Sequence, residues 1–415
     1  MPSQALPVDQ QKLSAEIEAL AQISDTPYPS VTRVLFTPTD LKARAYLKQL
    51  YAAAGLVVRE DAVGNTYARW TGTDASAKPI ATGSHADAIP NAGRFDGVVG
   101  VLGGLEAIRT LQRGGFRPRR AIDLIMFTAE EPTRFGFGCL GSRVMAGTLT
   151  PAQLAALRDK DGLSLDQARA AVGYSGAVAS AQLPKNSYSA FVELHIEQGY
   201  RLERAGLPIG VVTAIAAPAT LRVQMTGEGG HAGAVLMPDR HDPVLAASEL
   251  MLAVDRIARG TGNLNSVATC GLVQVLPGAV NSIPRDVSLT IDVRDIDLGR
   301  RDGMLAEIRK AARATAEKFG VGWRDEVLNA DAPATCAPEI LEAIHASCDV
   351  LGLRYQDMTS RAYHDSLFMA LICPTSMIFV PSKGGFSHRP DEFTAAEEIA
   401  TGVRVLAATL ARLAT

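Results

Sequence analysis

Two stretches of the chain carry residue types that do chemistry. GSHADAIPNAGRFDG, from Gly83 to Gly97, holds His85, Asp87 and Asp96, and the apolar run AIDLIMFT further on leads into Glu130-Glu131. Neutral imidazoles and ionised carboxylates suit Zn²⁺ or Mn²⁺, and a carboxylate left over can take a proton from water activated by such ions. Neighbouring carboxylates repel each other unless a cation or a proton offsets them. One glutamate as ligand and the other as base is therefore the economical reading of the pair.

His195, in HIEQG, and His388, in FSHRP, add two more imidazoles among Gly, Asp and Glu. Each fragment alone has an ordinary explanation. His85-x-Asp87 fits a polar surface turn, Asp96 between Gly93 and Gly97 fits a turn aspartate bonded to its own backbone, and a strand-end histidine is more often a satisfied polar group than a ligand. Of the seven histidines in the chain, four lie in such contexts, so the set says more than any member. In a strand, the i, i+2 spacing of His85 and Asp87 puts both on one face, where the carboxylate can fix the imidazole tautomer.

The elements that must position these groups follow from periodicity. Helices are expected over 9–23 and 39–54, and strands over 56–59, 65–70 and 79–84. A helical period runs over 97–111, and the run over 121–128 is of the kind a sheet buries on both faces. Glu130 and Glu131 then sit past the carboxyl end of a central strand, where open α/β sheets place their ligands. The strand over 190–196 brings His195 and Glu197 to a similar end.

From about Val211 the character changes to alternating strands and two amphipathic helices in the order β-α-β-β-α-β, the ferredoxin-like arrangement. The fold class is thus α/β: a mixed-sheet domain over residues 1–212 and 330–415, with a ferredoxin-like α+β domain inserted over 213–329. At 415 residues, two domains are the natural expectation.

Composition removes several function classes. A net charge of −3 from 41 basic and 44 acidic residues gives no electrostatic case for nucleic acid or an anionic membrane. Five cysteines, none in a Cys-x-x-Cys pair, argue against a disulfide framework or a thiolate zinc site. The first residues show no signal segment and no run of apolar residues is long enough to span a bilayer, so a cytoplasmic protein with a small ligand is expected.

In this order the motifs resemble the M20-type dinuclear metallohydrolases. The likeness is to the branch of N-carbamoyl-L-amino-acid, allantoate and ureidoglycolate amidohydrolases. GSHADAIPNAGRFDG, AEEPTRFGFGCLGSR, ELHIEQG, GGHAGAVLMPDRHD, PGAVNSIPRDVSLTIDVRD, RAYHDSLFMA and MIFVPSKGGFSHRPDE carry the likeness over nearly the full length. The resemblance implies a catalytic domain and an inserted dimerisation or lid domain, with two divalent ions (Mn²⁺ or Zn²⁺) per subunit. His85 and His195 would hold one ion, Glu131 and His388 the other, with Asp96 bridging and Glu130 as general base. Asp87 matches the aspartate behind the first histidine.

By the same resemblance, His231 reaches the active site of the other subunit of a homodimer and stabilises the oxyanion. Asn281 and Arg294 match residues that hold the substrate carboxylate, and Gln198, Tyr363 and His364 are pocket candidates by position. Arg294 in DVRD also fits a strand-end salt bridge, and His231 among glycines fits an ordinary loop.

Two stretches lean toward the ureidoglycolate members. Pro132-Thr133 follows the glutamate pair where the other members usually have Gly-Ser, and Tyr363 stands where they usually have glycine. The implied reaction is hydrolysis of a linear ureido bond in a small carboxylate such as (S)-ureidoglycolate, within purine nitrogen recovery. N-carbamoyl- or N-acyl-amino-acid hydrolysis, allantoate hydrolysis, a dipeptidase and, in a different class, a non-catalytic carboxylate-binding protein are the alternatives.

Overall fold

The computed structural model describes residues 7–415, so the reading of the first six residues as carrying no signal segment lies outside that range. The chain forms two compact units. The first comprises residues up to Thr213, Cys336–Ser360 and His364–Thr415, and the second comprises Ala214–Thr335 and Arg361–Tyr363. The second boundary therefore falls at 335/336 rather than 329/330. The reason is a short strand, Ala334–Thr335, that pairs with Ala214–Ile215, so the exit from the second unit runs beside its entry.

In the first unit, four parallel strands occupy the centre of a mixed sheet in the order Thr375–Val380, Ala190–Ile196, Ile80–His85 and Ile122–Phe127. Antiparallel strands flank them, Ile209–Ile215 on one side and Thr66–Trp70 then Val57–Glu60 on the other. Every residue of the four central strands is buried. Strands covered on both faces read as continuous apolar runs, which is why AIDLIMFT does not alternate.

The helix Val98–Arg113 packs on this sheet and against the last helix, Ala396–Leu413. Gly100 lets it come close, since a Cβ there would stand 2.5 Å from the Leu194 carbonyl oxygen. That approach fixes where the helix begins, and the loop carrying Asp96 immediately precedes it.

In the second unit, Val267–Leu276, Asp286–Asp295, Ala217–Thr226 and Gly322–Ala330 form, in that order, a four-stranded antiparallel sheet. With the helices Pro243–Gly260 and Leu298–Phe319 this is the expected ferredoxin-like order. Asp286–Asp295 alternates half-buried and buried residues along its whole length, the signature of a strand covered on one face. Among the described residues, no helix is long and apolar enough to cross a membrane.

Candidate metal centre

The four parallel strands deliver their carboxyl ends to one place. His85 is the last residue of its strand, His195 is next to last in its own, Glu130 and Glu131 follow Phe127, and His388 lies in the loop after Val380. Asp96 stands at the entry to the helix Val98–Arg113. Between them, Gly97 takes a φ of +66°, and a Cβ there would come 2.5 Å from the His85 ring, so both the turn and the space require glycine.

Asp96 divides these side chains into two sets. Its Oδ1 lies 3.1 Å from His195 Nε2 and 3.6 Å from His85 Nε2, while its Oδ2 lies 3.5 Å from His388 Nε2. His388 Nε2 is in turn 3.2 Å from Glu131 Oε1. His85, Asp96 and His195 form one group able to hold a metal ion, and Asp96, Glu131 and His388 form another. One carboxylate thus presents a separate oxygen to each group, which is the geometry of a bridge.

The donor chemistry fits cations. His195 Nδ1 is 2.9 Å from the Ile196 carbonyl and His85 Nδ1 is 3.1 Å from the Asp87 carbonyl. With both Nδ1–H groups donating to backbone oxygen, both Nε2 lone pairs face carboxylates, and like partial charges repel unless a cation or proton stands between them. The Gly97 N–H donates to His195 Nε2 at 3.2 Å, in keeping with that tautomer.

Without ions, protons are drawn to the same places. Burial works to lower the His85 pKa, but Glu130, Asp96 and Asp87 outweigh it and hold the ring well above its ordinary value. His195 is raised by Asp96 against the same opposition from burial. His388 is pushed up to about 9, chiefly by its hydrogen bond to Glu131. Asp96 itself stays well below the usual carboxylate range, because His195 and His85 overcome its burial.

Glu130 is buried, and its Oε2 lies 3.7 Å from His85 Nε2. Burial lifts its pKa well above the usual carboxylate range, with Glu131, Asp365 and Asp87 adding to the rise and His85 opposing it. A carboxylate with raised proton affinity at the edge of a cation site is suited to accept a proton from water. The thiol of Cys139, itself fully buried, donates to Glu130 Oε1 at 3.5 Å.

Asp87 departs from its expected task. The His85 tautomer is held by the Asp87 backbone carbonyl, whereas the carboxylate is 3.7 Å from Nδ1 and accepts the backbone N–H groups of Glu130 at 3.3 Å and Glu131 at 3.1 Å. Besides its charge on His85, it therefore acts on the glutamate pair, orienting the peptide that carries Glu130 and Glu131. Burial pushes its pKa up to about 6.

The remaining candidates divide between the units. Gln198, with a φ of +55°, donates to Asp96 Oδ2 at 2.7 Å and so touches the residue common to both groups. His364 is buried with its ring edge-on to His195 at 4.6 Å between centroids. Tyr363 belongs to the second unit, where its hydroxyl donates to Asp331. His231, Asn281 and Arg294 also lie in the second unit. His231 Nδ1 accepts the Gly233 N–H at 3.1 Å, and Asn281 is exposed. Arg294 pairs with Asp292 through Nε at 2.7 Å and donates to the Arg361 carbonyl. The salt-bridge alternative for Arg294 is thus the arrangement present in this structure.

Three side chains at the centre escaped the sequence reading: Cys139, Ser387 and Glu392. Glu392 is buried, and its pKa is pushed up to about 7 by burial and by Asp96. Its only signal in the sequence is a carboxylate four residues after His388 within FSHRPDE.

A family model described as peptidase family M20/M25/M40 matches residues 81–412. The chain belongs to this family. The M20 chain is 49% identical to the ureidoglycolate hydrolase of Oryza sativa subsp. japonica over 411 residues, covering 98% of this chain and 85% of that one. It is 38% identical to the N-carbamoyl-L-amino acid amidohydrolase of Geobacillus stearothermophilus, covering 97% of this chain and 98% of that one. Among solved structures, AtUAH in complex with (S)-hydroxyglycine is similar with a TM-score of 0.92 and 48% identity, and covers 99% of each chain. A complex of AtUAH with glyoxylate matches equally well.

Proposed function

We propose that the protein is a two-metal amidohydrolase that hydrolyses the ureido group of (S)-ureidoglycolate. The observation that carries the reaction class is the split of Asp96 between two donor sets, with Glu130 beside His85. The substrate rests on the full-length likeness to a ureidoglycolate hydrolase and on the AtUAH complexes with (S)-hydroxyglycine and glyoxylate.

His85, His195 and Asp96 Oδ1 would hold one ion, and Glu131, His388 and Asp96 Oδ2 the other. When bound, the ions supply Lewis acidity toward the carbonyl and make water acid enough to ionise near neutral pH. Glu130 takes the proton of the attacking water and passes it to the departing nitrogen. Asp87 keeps Glu130 and Glu131 in register through their N–H groups. The oxygen of the water ends on the ureido carbon, which leaves as carbon dioxide with one ammonia, and the remaining hydroxyglycine sheds a second ammonia to give glyoxylate. In this reading Asn281 and Arg294 hold the substrate carboxylate, Gln198, Tyr363 and His364 shape the pocket, and His231 steadies the oxyanion across the subunits of a cytoplasmic homodimer.

The test is ammonia release from (S)-ureidoglycolate, allantoate and a panel of N-carbamoyl and N-acyl amino acids, with Mn²⁺ or Zn²⁺ added. Turnover is expected with ureidoglycolate in preference to the rest. Indifference to it, with turnover of an N-carbamoyl amino acid, would move the protein to the carbamoylases. Ligand binding without metal uptake or turnover would leave only a binding protein.

A further inference from the structure

We propose that Glu392 is a positioning residue that aims the bridging aspartate and His388 at the ion they share. The inference rests on the two-ion reading and goes on to say how one of the two sites is built.

Asp96 lies in a loop between the short strand Ala88–Ala92 and the helix Val98–Arg113, so no sheet ladder fixes its direction. Glu392, far along the chain, does so instead. Its Oε1 accepts the N–H groups of two successive residues, Phe95 at 2.8 Å and Asp96 at 3.1 Å. Two successive N–H groups on one oxygen set the orientation of the Phe95–Asp96 peptide, and with it the Cα–Cβ direction of Asp96. The approach is close enough that a Cβ on Gly93 would overlap the Glu392 side chain.

The second oxygen acts on the side chain of the bridge. Glu392 Oε2 is 2.9 Å from Ser387 Oγ, and Ser387 Oγ is 2.5 Å from Asp96 Oδ2, the oxygen that faces His388. Ser387 is also the residue before His388. A single buried side chain therefore grips the backbone of Asp96 directly and, through the one hydroxyl of Ser387 that stands between the two carboxyl groups, reaches its outer oxygen and the root of the histidine beside it. The other imidazoles do not depend on it, since His85 and His195 stand on their own strands with Nδ1 on backbone carbonyls. A carboxylate that is 1% exposed is costly to bury without partners, and the partners of Glu392 side-chain oxygens are Phe95, Asp96 and Ser387.

The experiment is equilibrium dialysis of metal-stripped protein against Mn²⁺, with bound metal counted by mass spectrometry and the fold of each stripped variant checked by its melting temperature. Wild type is expected to take up two ions. Glu392→Ala should weaken the ion shared by Asp96 and His388 by roughly 10–100-fold, the usual cost of removing a group that orients a ligand, and weaken the other, which feels only the change in Asp96, by clearly less. Glu392→Gln, which retains an acceptor for the two N–H groups and a polar arm toward Ser387, should recover most of the loss. Ser387→Ala should show a smaller loss at the same site, and it decides the matter if Glu392→Ala does not fold. Two ions held at wild-type affinity in folded Glu392→Ala, or in Ser387→Ala, overturn the proposal, as does an equal loss of both ions. A wild-type protein that itself takes up fewer than two ions fails the two-ion reading first, and is told apart by that.

Discussion

The centre in the first unit and the candidate substrate residues in the second unit are built on opposite terms. At the centre, His85, Asp96, Glu131 and His195 are each less than a tenth exposed, with His388 on its loop the exposed exception, and bonds to fixed groups set the direction of the two strand-borne rings, of Asp96 and of the glutamate pair. In the second unit, His231 occupies a two-residue strand and is exposed, Asn281 is exposed, and Arg294 is paired with a neighbour on its own strand. The contrast separates two requirements. Divalent ions demand ligand atoms fixed to fractions of an ångström, which buried strand ends supply. Groups that meet a substrate can be left adaptable, and a carboxylate arriving at Arg294 must compete with Asp292 for the guanidinium.

The sharpest way to break that contrast is to remove the base and leave the ligands. Glu130→Gln keeps the shape of the side chain but cannot hold the proton. It should lower kcat by about 10²–10⁴-fold, the usual range for a general base, while metal content and KM stay near wild type. A fall in metal content of the same order would instead place Glu130 among the ligands, and the division of labour within the glutamate pair would be wrong.

The second unit should respond differently and less. His231→Ala is expected to lower kcat by about 10²–10³-fold with little change in metal content, the effect of losing one donor to an oxyanion. Arg294→Lys keeps the charge but loses the planar fork, and should act mainly on KM. A charged hydrogen bond contributes about 1.5–3 kcal/mol, so kcat/KM should drop by roughly 10–100-fold. Steady-state kinetics that show the reverse split, KM for His231 and kcat for Arg294, would exchange their roles. No change in either would confine both to the structural parts they play here, the loop contact with Gly233 and the ion pair with Asp292.

The same divide explains what could be read from the sequence. The candidate ligands were legible because their carriers are: AIDLIMFT and AFVELHI are runs that suit a doubly covered strand, and the polar residues at their ends stand out against them. The alternation of Leu221, Val223 and Met225 with polar neighbours likewise gave away a sheet covered on one face. The short helices Leu140–Ala146, Pro151–Ala156 and Leu165–Ala171 were missed because so few turns carry little periodicity, although the last two have capping boxes at Thr150/Gln153 and Ser164/Gln167. Glu392 and Cys139 were missed for another reason. What they do depends on contacts with residues distant in sequence or on a turn with positive φ, and no local pattern encodes that. Asp87 shows the limit from inside a motif: its spacing from His85 suggested a partner for the ring, but its carboxylate turns to the backbone of the glutamate pair.

The smallest effect concerns pH and the metal-stripped protein, and it uses the two tryptophans, Trp70 in the first unit and Trp323 in the second, as separate reporters. Burial raises the Asp87 pKa to about 6 and that of Glu392 to about 7, and the bond to Glu131 raises His388 to about 9. In each case the folded chain holds a proton more tightly than the unfolded chain. Their contributions are thus fully present below the unfolded values and are lost as pH rises through about 6, 7 and 9. Asp96 works the other way, its contribution being lost only in acid, outside this window. Between pH 6 and 9 the melting temperature of the stripped protein should therefore fall, by on the order of a few degrees, in the fluorescence of Trp70. Bound ions displace the same protons, so metal should flatten the slope. The signal from Trp323, isolated by Trp70→Phe, should show less of it, because these shifted groups all belong to the first unit. Equal slopes from both tryptophans would mean that the units unfold together and that the charge strain of the centre is shared by the whole chain. A melting temperature that rises with pH would show that Asp87, Glu392 and His388 do not together hold protons more tightly in the folded chain than in the unfolded one.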